Sequence, residues 1–126
     1  MSVRMMRLVA ATVLLGSACG AGTPVSSARF DLGEFTIDGE NLVLAAGPID
    51  VAINNVGELP HTIVISSVGG EVITGSDVLQ GGESGLVVVT LPPGEYEFTC
   101  RIVAEFDGAL VDHYELGMGE TVTVVG

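Results

Sequence analysis

From about position 29 onward, apolar and polar residues alternate in short runs, and glycine, proline, asparagine and aspartate divide the runs. Residues two apart share one face of a strand, so this pattern predicts strands with one buried face. Phe30, Leu32, Phe35 and Ile37 form an apolar series with one slip of phase. Leu42, Val43 and Leu44 follow, and Gly47-Pro48 reads as a turn. Ile49, Val51 and Ile53 then alternate strictly with polar or small residues before Asn54-Asn55. Thr62-Ile63-Val64-Ile65-Ser66 is a strand by its β-branched content. Between positions 67 and 85 the alternation dissolves, and residues 76–80 predict one helical turn with Ser76 or Asp77 as its cap. Residues 86–91 form another β-branched run, stopped by Pro92-Pro93-Gly94. Tyr96, Phe98 and Cys100 then share one face, with Glu95, Glu97 and Thr99 on the other. Residues 121–125 supply a last strand. Seven or eight short strands without a helix of any length predict an all-β, Greek-key β-sandwich. The 126 residues suit one modest core, with no internal repeat and no second domain.

The first residues follow a different plan. Arg4 and Arg7 precede an apolar run over positions 8–15 that is too short to cross a bilayer as a helix. Small residues lead on to Cys19, so residues 1–18 read as an export signal. The run resembles a bacterial lipobox, with Gly16 where that motif usually has a larger aliphatic residue, and Cys19 is the expected lipidation site. Cleavage near Ala21 is the alternative; both place the protein outside the cytoplasm, at the cell surface or in the periplasm. Residues 19–28 read as a flexible tether and residues 29–126 as the folded domain. Without the leader, two arginines face sixteen carboxylates, a formal charge of −14. Such a surface excludes nucleic acid, limits membrane contact to the lipid anchor, suits cationic partners and favours a monomer.

Lipidation of Cys19 would leave Cys100 without a disulfide partner in an oxidising compartment, so its thiol is expected to be buried or ligating. The chain has two histidines, His61 and His113, and Met118 follows the second of them closely. A thiolate, two imidazoles and a thioether are the donors that a soft, redox-active copper ion prefers. Taken singly, each residue has a plainer use. Cys100 can be a small core residue, His61 a turn residue, and Met118 and Tyr114 packing.

Three segments bring these residues into a recognisable order. Asn54-Asn55-Val56-Gly57-Glu58-Leu59-Pro60-His61-Thr62 resembles the loop that presents the first histidine in cupredoxins, the blue copper proteins of the plastocyanin and azurin kind. Pro92-Pro93-Gly94-Glu95-Tyr96-Glu97-Phe98-Thr99-Cys100 is similar to the strand that delivers their cysteine, and His113-Tyr114-Glu115-Leu116-Gly117-Met118 to their closing segment. The resemblance covers roughly residues 30–125. It implies one copper ion, cycling between Cu(I) and Cu(II), held by His61, Cys100 and His113 with Met118 as a weak axial ligand. It also implies electron transfer to redox protein partners, with His113 as the more solvent-facing histidine and the point of electron entry. Acidic residues in the surrounding loops, Glu58, Glu105, Asp107, Asp112 and Glu115, would favour Cu(II) and steer a partner with a basic docking surface.

The sequence departs from that family in the twelve residues, 101–112, that separate Cys100 from His113. Asp107-Gly108 is a two-residue hairpin signal. Folding there pairs Phe106 with Ala109 and Ile102 with His113, which returns the histidine to the cysteine. Both histidines are then committed, which leaves none for the second, catalytic copper of an oxidase or nitrite reductase. A purple dinuclear site needs two cysteines in this loop, and a Cys–His hydrolase would need an oxyanion-binding segment that is not evident. The expected activity is therefore electron carriage, not catalysis. A copper carrier or buffer, and a cupredoxin-like binding module without metal, are the alternatives.

Overall fold

The computed structural model describes residues 23–126, so the leader and Cys19 lie outside the described residues. Its elements are β1 (Ser27–Gly33), β2 (Thr36–Gly39), β3 (Val43–Ala45), β4 (Gly47–Asn55), β5 (Val64–Ser67), β6 (Val72–Gly75), β7 (Ser84–Leu91), β8 (Gly94–Thr99), β9 (Val103–Phe106), β10 (Ala109–Asp112) and β11 (Gly119–Val125). Two sheets form the body, in the orders β2-β1-β4-β7 and β3-β11-β8-β5-β6, and β9 with β10 makes a separate hairpin. Most pairings are antiparallel, but β1 runs parallel to β4 and β3 parallel to β11, so the chain crosses between sheets. Among the described residues there is no helix.

The inward residues follow the sequence alternation. Phe30 and Leu32 of β1, Ile49, Val51 and Ile53 of β4, and Val87, Val89 and Leu91 of β7 face Ile65 of β5, Tyr96 and Phe98 of β8 and Val122 and Val124 of β11 in one core. The Phe30 and Phe98 rings meet between the sheets with centroids 5.0 Å apart. The Tyr96 hydroxyl donates to the Pro92 carbonyl at 2.6 Å, so this core aromatic also fixes the turn before its own strand.

Several local expectations change. The slip of phase at Phe35 is a tight turn, Glu34-Phe35, between β1 and β2, where Gly33 pairs with Thr36. Gly47-Pro48 opens β4 rather than turning. Pro48 precedes the pairing with β1, which begins at Asp50, so its missing N–H interrupts no ladder on that side. The helical turn expected at residues 76–80 is absent. That segment stays extended because Ser76 and Leu79 bond to Ile63 and His61, and this pairing outweighs local capping. Thr99, expected on the solvent face with Glu95 and Glu97, is fully buried. The first apolar series divides into β1 and β2, and with the short β6 and the two strands of the hairpin the count rises from seven to eleven. The fold also reaches into the expected tether, since Val25 bridges to Leu44 and β1 starts at Ser27.

Removing a core aromatic tests this packing. Phe98→Ala is expected to lower unfolding free energy by about 3–5 kcal/mol, seen as a lower urea midpoint. Leu86→Ala, at an exposed site on β7, should stay within about 0.5 kcal/mol of the parent. Equal effects would contradict the assignment of inner and outer faces.

Candidate metal centre

Cys100 follows directly on β8, and β8 is held in register with β11 by the pairing of Thr99 with Gly119. Met118 precedes β11, and its carbonyl accepts the Cys100 N–H at 3.1 Å. Its own N–H donates to the His113 carbonyl at 3.1 Å, so backbone bonds tie cysteine, methionine and second histidine together. The inserted hairpin completes the link. Asp107 (φ 58°) and Gly108 (φ 85°) both lie in the left-handed region that a two-residue turn of this kind requires. Phe106 pairs with Ala109 and Val103 with Asp112, and the His113 N–H then donates to the Ile102 carbonyl at 3.0 Å.

His61 is placed by a different set of contacts. It exchanges both backbone hydrogen bonds with Leu79, at 2.8 and 3.0 Å. The loop before it is gathered around buried Asn55. The Asn55 amide donates to the carbonyls of Leu59 (2.8 Å) and Leu79 (2.9 Å), and its oxygen accepts the Gly57 N–H at 2.9 Å. A carboxylate from the β1–β2 turn, Glu34, accepts the N–H groups of Glu58 and Leu59 and lies 3.0 Å from His61 Nε2.

These two sets converge. One donor atom each from His61, Cys100 and His113 fall within 4.8 Å of one another, and all three residues are buried. Cys100 Sγ is 3.6 Å from His113 Nδ1, and the two imidazole rings stand 5.1 Å apart at 60°. Met118 is fully buried with them. His61 Nδ1 is buried without a hydrogen-bond partner. An uncompensated buried imidazole nitrogen beside a thiol and a second imidazole is costly for a protein core and natural for a metal site. The residues present fit a soft transition metal.

Two nearby groups are shifted in pKa. Burial would raise the Glu34 carboxyl, but the Leu59 N–H, the His61 ring and the Glu58 N–H outweigh it and hold it below the ordinary 4.5. Burial, and secondarily the neighbouring His61, lower His113 below 6.5, against an opposing pull from Asp112 and Glu34.

All four residues singled out in the sequence lie at one end of the sandwich. His113, expected to be the more solvent-facing histidine, is 2% exposed against 0% for His61, so both are buried, and Phe35 packs edge-on against the His113 ring with centroids 5.0 Å apart. Asp112 also differs from a free rim charge, as its carboxylate accepts the N–H groups of Tyr114 and Glu115 and shapes the turn after His113. Sequence reasoning missed Glu34, Phe35 and the bonding role of Asn55. The slip of phase at Phe35 was a turn signal, but no local feature tied that turn to a loop more than twenty residues away.

No sequence-family profile matches the chain, and no curated protein matches it by sequence. Solved structures do. Reduced auracyanin from Roseiflexus castenholzii aligns with a TM-score of 0.66 at 22% identity, over 82% of this chain and 100% of that one. Auracyanin A from Chloroflexus aurantiacus, described as a "blue" copper protein, gives 0.62 at 20%, over 82% and 100%. A purple cupredoxin from Nitrosopumilus maritimus gives 0.55 at 21%, over 78% and 99%. The fold is that of the cupredoxins.

The shifts give the metal-free protein a defined acid response. Unfolded, His113 binds its proton at higher pH than it does when folded, so its contribution to stability is complete above about 6.5 and is lost as pH falls through the folded value. Glu34 contributes above its ordinary 4.5, and that share is lost as pH falls further, through its lowered value. Urea midpoints should therefore decline in two stages on acidification; a flat profile as pH falls from about 7 to 5 would contradict the His113 environment, and a flat profile below about 4.5 that of Glu34.

Proposed function

We propose that this protein is a one-electron carrier in which His61, Cys100 and His113 would hold a single copper ion, with the Met118 thioether as a fourth, weaker donor. The observation behind this reading is the convergence of a buried thiol and two buried imidazoles, one with an unpartnered nitrogen, in a cupredoxin fold. Copper so bound supplies reversible exchange between Cu(I) and Cu(II). The chain supplies a stiff donor set. Cys100, His113 and Met118 are locked to one another by backbone bonds, and His61 by Leu79, Asn55 and Glu34. Donors that cannot relax keep rearrangement on electron exchange small. The likeness of the auracyanins, one of them a blue copper protein, supports the same reading.

With both histidines spent on one ion, the chain has none for a catalytic second copper, and we assign it no bond-making chemistry. The protein is exported and works outside the cytoplasm, held to the membrane by lipid at Cys19. Partners approach where Phe35, Leu59 and Phe106 line a shallow groove beside the centre, with Glu34 and Glu58 in its wall. Apolar contact ringed by carboxylates favours a redox partner with a basic surface.

Titration of the purified metal-free protein with Cu(II) tests the site. An intense visible thiolate-to-copper band should saturate at one equivalent, disappear in Cys100→Ser, and bleach and recover through reduction and oxidation without loss of metal. Ready loss of copper to a chelator would instead indicate a carrier or buffer, and no band would leave a binding module. Electron-transfer rates with a basic partner should fall steeply as ionic strength rises; salt-independent rates would remove the carboxylate rim from the account.

A further inference from the structure

The contacts of Glu34 go beyond holding a loop. Its carboxylate accepts three donors at once: the Leu59 N–H at 2.9 Å, the Glu58 N–H at 3.0 Å and, at 3.0 Å, the Nε2 side of the His61 ring. An ionised carboxylate only accepts hydrogen bonds, so the ring nitrogen facing it must carry the proton. That leaves His61 Nδ1, in the neutral ring, with a bare lone pair, and Nδ1 is the buried atom without a partner. The side chain of His61 is fully buried and that of Glu34 is 31% exposed, so the carboxylate lies on the outer side of the ring, which also has a nitrogen within 4.8 Å of donors from Cys100 and His113.

The rest of the loop is shaped to receive that carboxylate. A methyl group added at Gly57 would overlap the Glu34 carboxylate, so only glycine leaves it room. Asn55 holds Gly57 and Leu59 in place, and with them the Glu58 and Leu59 N–H groups that Glu34 accepts.

We infer that Glu34 is a positioning residue for the metal centre, which presents His61 Nδ1 as the donor and, through its charge, favours the oxidised over the reduced ion. The second half of this inference rests on the copper reading above; the first half does not. A carboxylate on the remote nitrogen raises the basicity of a ligating imidazole, and loss of such a partner typically costs about 10–100-fold in metal affinity. The more highly charged Cu(II) gains more from a basic donor than Cu(I) does. Each tenfold loss confined to the oxidised form raises the reduction potential by about 59 mV for one electron.

The test uses the full chain with Glu34→Gln and Glu34→Ala. In the metal-free parent, ¹⁵N-detected imidazole spectra should show His61 protonated at Nε2 and bare at Nδ1. Glu34→Ala should lose this preference, and Glu34→Gln, which retains an acceptor without the charge, should keep part of it. Loaded with copper, both variants should bind Cu(II) about 10–100-fold more weakly and have raised potentials, Glu34→Ala the more so. Gly57→Ala, which displaces the carboxylate without removing it, should shift both readouts in the same direction. If the variants lose stability but keep the parent's tautomer and potential, Glu34 is a loop staple and the inference falls. If Glu34→Ala does not fold, Glu34→Gln and Gly57→Ala decide the matter. If the parent binds no copper, the function proposed above fails, while the tautomer measurement still decides the role of Glu34.

Discussion

Two imidazoles and a thiol converge in the buried interior of this protein, and the structure at this end of the sandwich depends on holding them there. The buried Cys100 thiol has a long contact with His113 Nδ1 at 3.6 Å and His61 Nδ1 has no partner, which offsets little of the loss of water. They stay because the backbone leaves them no alternative. Cys100 and Met118 are bonded as an extension of β8 and β11, Met118 is bonded to His113, and His113 is bonded to Ile102 across the base of the hairpin. The sheets supply register, the core supplies stiffness, and the donor set is the consequence of both.

The inserted hairpin shows how a long connection keeps such geometry. Twelve residues of free loop would let His113 wander, but an antiparallel pair with a two-residue turn has a fixed length and a fixed register. Its strands are exposed, with Val103, Phe106 and Leu110 open to solvent. The hairpin therefore adds surface beside the centre without altering the distance between Cys100 and His113. Phe106 at its tip reaches the same groove as Phe35 and Leu59, so the insertion enlarges the face that a partner would meet. Phe35, which lines this groove, also packs edge-on against the His113 ring.

Much of this was legible in the sequence where the signal is local. Alternation at Ile49, Val51 and Ile53 and at Tyr96 and Phe98 marked core strands, and Asp107-Gly108 marked the hairpin and its register. The four candidate ligands stood out because soft donors are scarce in this chain. What stayed hidden depends on contacts between distant segments. Residues 76–79 carry a capping signal, yet they are extended because Leu79 pairs with His61. Glu34 is one acidic residue among sixteen, and nothing local distinguishes the one that meets a histidine ring. The burial of His113 follows from Phe35, whose position depends on how the β1–β2 turn packs across the site.

The preformed donor set can be examined by X-ray absorption at the copper edge in the oxidised and reduced protein. Two nitrogen scatterers and one sulfur should surround the ion in both states, with nearly unchanged distances, since the chain holds the donors before any metal arrives. A shell of light atoms without sulfur, or a set of ligands that changes with oxidation state, would contradict the assignment of His61, Cys100 and His113 to one rigid centre.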